Sequence, residues 1–314
     1  MTARSRWRAV DGLLLLDKPT GITSNTALQR ARRVLQAEKA GHTGTLDPLA
    51  SGLLPLCFGQ AAKFARFLLD ADKRYTATVS FGLTTNTGDA DGEALERRPV
   101  AFDEAALRAV LARFTGAIDQ VPPMHSALKR DGRPLYEYAR AGIELEREAR
   151  RVTIHAIELI AFENDGPEGV RATLDIICSK GTYIRSLAMD IGEALGCGAH
   201  LAALRRTETS GWTLAQAVSL ADFEALSADE AAARLLHARQ MVVHLPMLRL
   251  DDASLAQRFG WGQHLPLDAA HAGRAAEGPL SVWGPGEGDS AFLGVAEVDA
   301  RGVLCPLRLM APTA

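Results

Sequence analysis

Strict alternation of apolar and polar side chains over residues 75–81 is the strongest constraint on how this 314-residue chain folds. The apolar members are Tyr75, Ala77, Val79 and Phe81, and the polar members are Thr76, Thr78 and Ser80. Because successive side chains of a strand point to opposite faces, the pattern predicts a strand with one buried face. Such strands are typical of antiparallel sheets.

Segments of strand and helix character follow one another along the first 245 residues. We predict strands over 10–17, 53–58, 150–160 and 169–178, and helices over 24–36, 60–69, 103–115 and 186–195, with two short acidic helices within 219–240. An irregular stretch follows Pro122 and Pro123 and continues to Gly142. These elements predict an α+β fold, with an antiparallel-rich sheet flanked by helices.

The character of the chain changes after Pro246. Short apolar runs then alternate with turns rich in Gly, Pro and Asp, which predicts a small all-β module, similar to a barrel. At about 150 residues per domain, the length also suggests two domains. We place the boundary at Leu245, which gives domains 1–245 and 246–314.

Composition and the longest apolar runs exclude several classes of protein. Apolar residues make up 47% and charged residues 23%, as in ordinary folded proteins. The run Leu13–Leu16 is far shorter than the roughly 18 residues that span a bilayer, and no signal peptide is evident. We therefore expect a soluble, cytoplasmic protein without a membrane partner. Residues 1–75 hold 12 Lys and Arg against 6 Asp and Glu, which suggests a surface that faces phosphates.

Motifs for metals and nucleotide cofactors are missing from the sequence. It has no P-loop, no G-x-G-x-x-G after a strand, no H-E-x-x-H and no C-x-x-C, and its four cysteines are scattered. The run Asp89-Ala-Asp91-Gly92 lacks the downstream ligands of a calcium loop and predicts a tight surface turn. We expect no metal and no cofactor.

Two segments contain candidate site residues. In GHTGTLDPLASG, Pro48 favours an extended conformation for Asp47. Gly41 and Gly44 allow a ligand to approach closely. Spacing alone favours a structural interpretation, in which Asp47 caps a turn and His42 is a polar loop residue. In CSKGTYIR, Arg185 lies at a predicted helix start, where a cation is unfavourable unless it has an anionic partner.

Five segments together resemble one family. They are LLLLDKPTGITSN, AGHTGTLDPLASGLLPLCFGQAAKF, DKRYTATVSFGLTTNTGDADGE, PPMHSALKRDGRPLYEYARAG and CSKGTYIRSLAMDIGEALGCGAHLAALRRTETSGW. They resemble, in order, the signature blocks of bacterial tRNA pseudouridine-55 synthases over residues 11–212. The module after Leu245 is similar to the family's C-terminal PUA-like RNA-binding barrel.

The resemblance implies the pseudouridine synthase fold and isomerisation of uridine 55 in the TΨC loop of tRNA. It implies Asp47 as the essential catalytic carboxylate, attacking ribose C1′ or, alternatively, uracil C6. Arg185 would pair with Asp47 and hold its pKa low. The base would be flipped out, as enzymes that act on a base require. The matching residues for the other roles are His42 in the vacated space, Tyr75 stacked on the uracil, Tyr183 and Leu204 lining its pocket, and Lys18 near the site.

The resemblance further implies a monomer that binds the T-arm and elbow of tRNA, without a guide RNA. Basic residues between positions 30 and 206 are candidate phosphate contacts. They are Arg30, Arg32, Arg33, Lys39, Lys63, Arg66, Lys129, Arg130, Arg133, Arg205 and Arg206. The alternatives are a non-catalytic RNA-binding or chaperone protein of this fold, a related guide-RNA synthase and an unrelated carboxylate-nucleophile hydrolase.

Overall fold

The structure, a computed structural model, describes residues 7–69, 71–164, 169–267 and 278–311. The strands before Leu245 are β1 (Gly12–Lys18), β2 (Ala40–His42), β3 (Ser51–Phe58), β4 (Lys73–Phe81), β5 (Leu83–Thr85), β6 (Ala94–Arg97), β7 (Gly116–Gln120), β8 (Lys129–Arg130), β9 (Arg133–Pro134), β10 (Arg150–Asn164), β11 (Val170–Cys178), β12 (Ala199–Thr209), β13 (Trp212–Thr213) and β14 (Val218–Ser219). The strands after it are β15 (Met247–Arg249), β16 (Leu265–Pro266), β17 (Leu280–Trp283), β18 (Phe292–Val298) and β19 (Val303–Leu309). The helices are α1 (Ser24–Leu35), α2 (Arg66–Leu69), α3 (Glu104–Arg113), α4 (Leu135–Arg140), α5 (Ile184–Ala194), α6 (Leu220–Glu224), α7 (Ala228–Ala233) and α8 (Ala253–Gly260).

A large mixed sheet organises the chain before Leu245. Within the described ranges its order is β14-β1-β3-β12-β4-β11-β10-β7, with β2 paired to β3 and β13 to β12. Only the β1–β14 and β3–β12 contacts among these described strands are parallel. The antiparallel-rich α+β fold predicted from the sequence is therefore confirmed.

Both faces of this sheet are covered, which explains the unbroken leucine run in β1. Leu14 and Leu16 belong to the core beneath α1 and α5, whereas Leu13 and Leu15 belong to a second core on the opposite face. Side chains that alternate between apolar and polar would leave one face of the strand polar. A strand whose two faces are both buried therefore has a continuous run of apolar residues. Full burial of one leucine contributes about 1.5–3 kcal/mol.

Helix α1 matches its sequence pattern closely and later supports the site. Its buried side chains include Ala27, Leu28, Ala31 and Leu35, at the spacing of one helix face. The hydroxyl of Thr23 accepts a hydrogen bond of 3.0 Å from the Thr26 amide, which caps the first turn. The cap fixes where the helix begins, and therefore where Ser24 lies.

The C-terminal strands form their own sheet. In the described residues its order is β15-β17-β18-β19-β16, and it curls around a core that includes Phe259 and Val282. Its other side joins the larger unit, because Trp283 and Phe292 pack in one core with Phe64. The domain boundary at Leu245 stays a prediction.

Some local predictions need correction. The predicted helix 60–69 is a 3-10 turn, Gly59–Phe64, followed by the short α2, and the predicted irregular stretch contains the β8–β9 hairpin and α4. Strand β12 was not predicted. Among the described residues, no helix has the length and apolarity that crossing a membrane requires.

Candidate active site

The loop that carries Asp47 connects β2 to β3 and is held by the start of α1. The Ser24 hydroxyl accepts a 2.8 Å hydrogen bond from the Leu46 amide and donates one of 3.0 Å to the Leu46 carbonyl. The Gly21 amide donates to the Pro48 carbonyl at 2.8 Å. These contacts fix the backbone on both sides of Asp47, so its carboxylate is presented from a rigid loop.

Arg185 lies at the start of α5 and contacts Asp47, the partner that the family resemblance implied. Its Nη2 lies 2.9 Å from Oδ2 of Asp47, and its side chain is only 5% exposed. The same guanidinium donates to the carbonyls of Thr87, at 3.0 Å, and His125, at 2.7 Å. Arg185 is therefore anchored independently of Asp47 and holds the carboxylate in one orientation.

Asp89 is a further member of this ion cluster that the sequence analysis missed. Its Oδ2 lies 3.6 Å from Nε of Arg185, and its side chain is 7% exposed. The prediction of a surface turn at Asp89-Ala-Asp91-Gly92 is therefore wrong for Asp89. The turn itself exists: the Asp91 amide donates to Oδ1 of Asp89, as in many Asp turns, while the second oxygen faces inward.

The electrostatics of Asp47 differ from the expectation. Burial raises the pKa of Asp47 above its ordinary value, Arg185 lowers it, and the nearby carboxylate of Asp89 raises it again. The expectation that Arg185 holds this pKa low is therefore wrong, because burial outweighs the ion pair. Since 41% of the Asp47 side chain is exposed, solvent limits the rise.

A row of directly paired residues crosses four strands beneath the loop. Lys18 of β1 pairs with Gly52 of β3, Gly52 with Arg206 of β12, and Arg206 with Tyr75 of β4. Directly opposed residues share a face of a sheet, so Lys18, Arg206 and Tyr75 all lie on the helix-covered face. Each of these three side chains is less than 10% exposed.

Lys18 lies beside the site and is fully buried. Its Nζ donates to the carbonyls of Pro19, at 2.8 Å, and Ile22, at 2.7 Å, which ties down the turn before α1. Burial lowers the pKa of Lys18 to about 8, against the raising effect of Asp47. Lys18 therefore acts on the carboxylate by its charge and not by direct contact.

A cavity of about 630 Å³ opens above Asp47, within the usual size range of ligand pockets. Its lining includes Tyr75, Tyr183, Arg185, Leu204 and Arg206. Of the predicted site residues, His42 and Lys18 do not belong to this lining. Burial raises the pKa of Tyr75 and of Tyr183, and both phenols are thereby kept neutral near pH 7.

The position of His42 follows from the β2–β3 pairing. It pairs with Leu56 at the end of β2, and its Nδ1 is buried without a hydrogen-bond partner in the described part of the chain. Burial and the charge of Arg206 lower the pKa of His42, so the imidazole is neutral at pH 7.

A second cavity, also of about 630 Å³, lies at the C-terminal sheet near Trp261. The one carboxylate in its lining, Asp289, is already paired with Arg239. Convergent ionisable groups distinguish the Asp47 cavity, which we take as the active site. The described residues contain no cluster of three His, Cys, Asp or Glu side chains arranged to hold a metal.

Sequence comparison assigns the chain to a family. Residues 32–184 match the TruB family pseudouridylate synthase N-terminal domain, 185–245 the tRNA pseudouridylate synthase B C-terminal domain, and 246–310 the pseudouridine synthase II TruB C-terminal domain. The chain belongs to the TruB family of pseudouridylate synthases. It is therefore an isomerase that converts uridine to pseudouridine.

Relatives of this TruB family chain match it over nearly its whole length. A tRNA pseudouridine synthase B from Burkholderia mallei (strain NCTC 10247) is 56% identical over 305 residues, covering 96% of this chain and 98% of the relative. One from Chromobacterium violaceum is 52% identical over 308 residues, covering 98% and 97%. A chain of a Cbf5-Nop10-Gar1 complex has a TM-score of 0.72 at 24% identity, covering 99% of this chain and 90% of that one, and confirms the pseudouridine synthase fold.

Proposed function

We propose that this TruB family chain isomerises uridine 55 in the TΨC loop of tRNA. The supporting observation is the paired carboxylate of Asp47 at the mouth of a cavity large enough for a nucleotide. Relatives that are 52% to 56% identical are named tRNA pseudouridine synthase B, which supports tRNA as the substrate. The chain acts as a monomer, without a guide RNA and without a metal.

In this proposal Asp47 is the nucleophile. One carboxylate oxygen bonds to ribose C1′ as the N1–C1′ bond breaks, and the uracil leaves with the bonding electron pair. The freed ring turns, and its C5 bonds to C1′ as the carboxylate departs. The proton on C5 is then lost and N1 takes up a proton, so the ring becomes aromatic again with its proton count unchanged. Attack at uracil C6 remains the alternative. Both routes need an ionised carboxylate, and Arg185 holds it in position.

The surrounding residues bind the base outside its RNA loop. Tyr75 stacks on the uracil, a contact worth about 1–3 kcal/mol, while Tyr183 and Leu204 line the pocket around it. His42 fills the space that the base leaves. The half-buried imidazole of His42 supports this role, because burial and the charge of Arg206 lower its pKa and a flat aromatic ring can stack between bases.

The test is pseudouridine mapping on an unmodified tRNA transcript. Purified protein, with no other RNA present, is incubated with the transcript, and carbodiimide adducts are mapped by primer extension. We expect a stop at position 55 with the native protein and none with Asp47→Asn. Arg185 keeps Asp89 and two carbonyl partners in that variant, so its melting temperature should be preserved.

Tight tRNA binding without any stop would contradict the proposal and favour a non-catalytic RNA-binding protein. A stop at another uridine would contradict the choice of position 55 alone. Activity that appears only when a second RNA is added would favour a guide-RNA synthase.

A further inference from the structure

Arg206 is an unusual buried charge within the cavity wall. Among the described residues it has the largest fully buried side chain, with 1% exposed. Its Nε donates to the Leu53 carbonyl at 2.7 Å, but its Nη2 is buried and has no hydrogen-bond partner in the described ranges. No carboxylate of those ranges comes within ion-pair distance of it, in contrast to Arg185.

The backbone around Arg206 is shaped to hold it against the cavity. A Cβ on Gly52 would lie 2.2 Å from the Arg206 carbonyl oxygen, so only glycine permits the β3–β12 pairing at this point. Gly44, in the Asp47 loop, lies next to the guanidinium of Arg206. A Cβ placed on Gly44 would be 3.6 Å from Nη1 of Arg206. Gly52 thus lets the Arg206 backbone approach β3, while the guanidinium itself contacts the Leu53 carbonyl and the backbone at Gly44. Arg206 also belongs to the cavity lining, together with Asp47 and Tyr75.

A buried cation without a carboxylate partner is costly to folding, because the Leu53 carbonyl and the Tyr75 phenol, which also hydrogen-bonds Arg206, replace only part of its hydration. Its cost is offset where a ligand supplies the missing acceptor. Arginine keeps its charge at any pH that enzymes experience, whereas the charge of Lys18, with a pKa of about 8, is partly lost in mild base. The cavity thus contains a permanent cation with at least one free donor.

The uracil ring is an acceptor that matches this donor. When the N1–C1′ bond breaks, the electron pair leaves with the ring, and its negative charge spreads onto the O2 and O4 oxygens. Addition of a carboxylate at C6 would likewise put a negative charge on the ring oxygens. A fixed donor that faces developing charge in a site closed to water contributes strongly to catalysis.

We propose that Arg206 is a further catalytic residue, whose guanidinium donates a hydrogen bond to a carbonyl oxygen of the flipped uracil and stabilises the negative charge on the ring. This proposal rests on the proposed function, since it needs uridine in the Asp47 cavity. It separates two roles for the two cavity arginines. Arg185 orients the carboxylate, and Arg206 stabilises the base that departs and returns.

The test compares Arg206→Gln and Arg206→Lys with Arg74→Lys as the matched control. Arg74 precedes Tyr75 on β4, but its side chain is 46% exposed and pairs with Asp175 at 2.8 Å, on the face of the sheet opposite to Tyr75. We measure single-turnover rates by total pseudouridine in nuclease digests, together with tRNA affinity and melting temperature. We expect Arg206→Gln to lose about 100-fold or more in rate at unchanged affinity, Arg206→Lys to lose less, and Arg74→Lys to keep its rate.

A tRNA transcript made with 5-fluorouridine provides the readout that a structural role would not move. Fluorine stabilises the ring anion by itself, so the loss caused by Arg206→Gln should be smaller for cleavage of 5-fluorouridine than for uridine. Equal losses on both substrates, or a loss confined to affinity, would overturn the proposal. If Arg206→Gln fails to fold, the rate losses on uridine and on 5-fluorouridine are compared for Arg206→Lys instead, because this variant keeps the buried charge. Native protein that forms pseudouridine away from position 55 would contradict the proposed function and leave this comparison intact.

Discussion

At the scale of single residues, the elevated pKa of Asp47 predicts how the reaction depends on pH. A nucleophilic carboxylate must be ionised, so the single-turnover rate should rise with pH as Asp47 loses its proton, with a midpoint above the ordinary value of 3.8. Asp89→Asn removes a negative charge that raises this pKa, and it should therefore move the midpoint to lower pH. The rates of both proteins, measured on the same transcript, test this. A midpoint that stays in place, or moves to higher pH, would contradict the assigned electrostatics.

The lowered pKa of Lys18 predicts that the stability of the protein depends on pH. Its folded pKa of about 8 lies below the ordinary 10.5, so the folded state gives up this proton more readily than the unfolded state does. The cost of burying the charge is present below pH 8 and is relieved as pH rises from 8 to 10.5. Neutral lysine can still donate to the carbonyls of Pro19 and Ile22.

Urea unfolding at several pH values should therefore show a gain in the native protein's free energy of unfolding between pH 8 and 10.5, relative to Lys18→Met. The variant will be less stable throughout, because two carbonyls lose their donor, and only the difference in slope is diagnostic. Parallel stability curves for the two proteins would show that Lys18 titrates at its ordinary value.

At the scale of elements, regular periodicity decided what the sequence could predict. Strand β4 and helix α1 have uninterrupted patterns and were predicted with bounds close to those observed. Strand β12 lies at the centre of the sheet but was missed. Its pairing with β4 shifts register after Leu201 and again after Arg206, and such bulges interrupt the period of two. Strand β12 also supplies Leu204 and Arg206 to the cavity.

Local sequence also predicted only part of the candidate site. Pro48 and the glycines around Asp47 indicated a site loop, and the position of Arg185 at the start of α5 indicated a buried anionic partner. Asp89 and Arg206 gave none, because a charged side chain in a turn or a basic strand ordinarily lies in solvent. Their burial results from contacts between distant segments, which local sequence does not encode. The roles assigned to the site residues stay predictions until variants are measured.

A substitution at Gly52 tests whether the close approach of the β3 and β12 backbones is needed for stability. Its φ of +102° is unfavourable for any other residue, and a Cβ would meet the Arg206 backbone at 2.2 Å. We expect Gly52→Ala to reduce the free energy of unfolding by about 1–3 kcal/mol or more and to reduce the rate by displacing Arg206. Gly41→Ala is the matched control, since nothing lies within 4 Å of its Cβ position. Equal stability of the two variants would contradict this account.

At the scale of the whole molecule, the fold divides the basic residues into two groups. Some are exposed and available to contact RNA, and others are buried or paired with carboxylates of the same chain. Of the candidate phosphate contacts, Arg206 is buried, Arg30 pairs with Glu224, and Arg205 pairs with Asp17. Lys129 and Arg130, by contrast, are exposed in the β8–β9 hairpin. That hairpin directly follows Ser126–Leu128, which lines the cavity. A chain with a net charge of −3 can therefore still present cations to RNA at the rim of its site.

This arrangement predicts that the β8–β9 hairpin contributes to the salt dependence of the affinity for tRNA. Each phosphate neutralised by a cation releases counterions, so affinity for tRNA falls as salt rises. Replacing Lys129 and Arg130 by Gln should flatten the plot of log affinity against log salt by roughly one for each phosphate that the hairpin no longer neutralises. Arg108→Gln, an exposed arginine paired with Glu104 on α3, is the control and should leave the slope unchanged. At saturating protein the single-turnover rate of the hairpin variant should equal that of the native protein, because neither residue lines the cavity. An unchanged slope would show that RNA approaches the Asp47 cavity from another side.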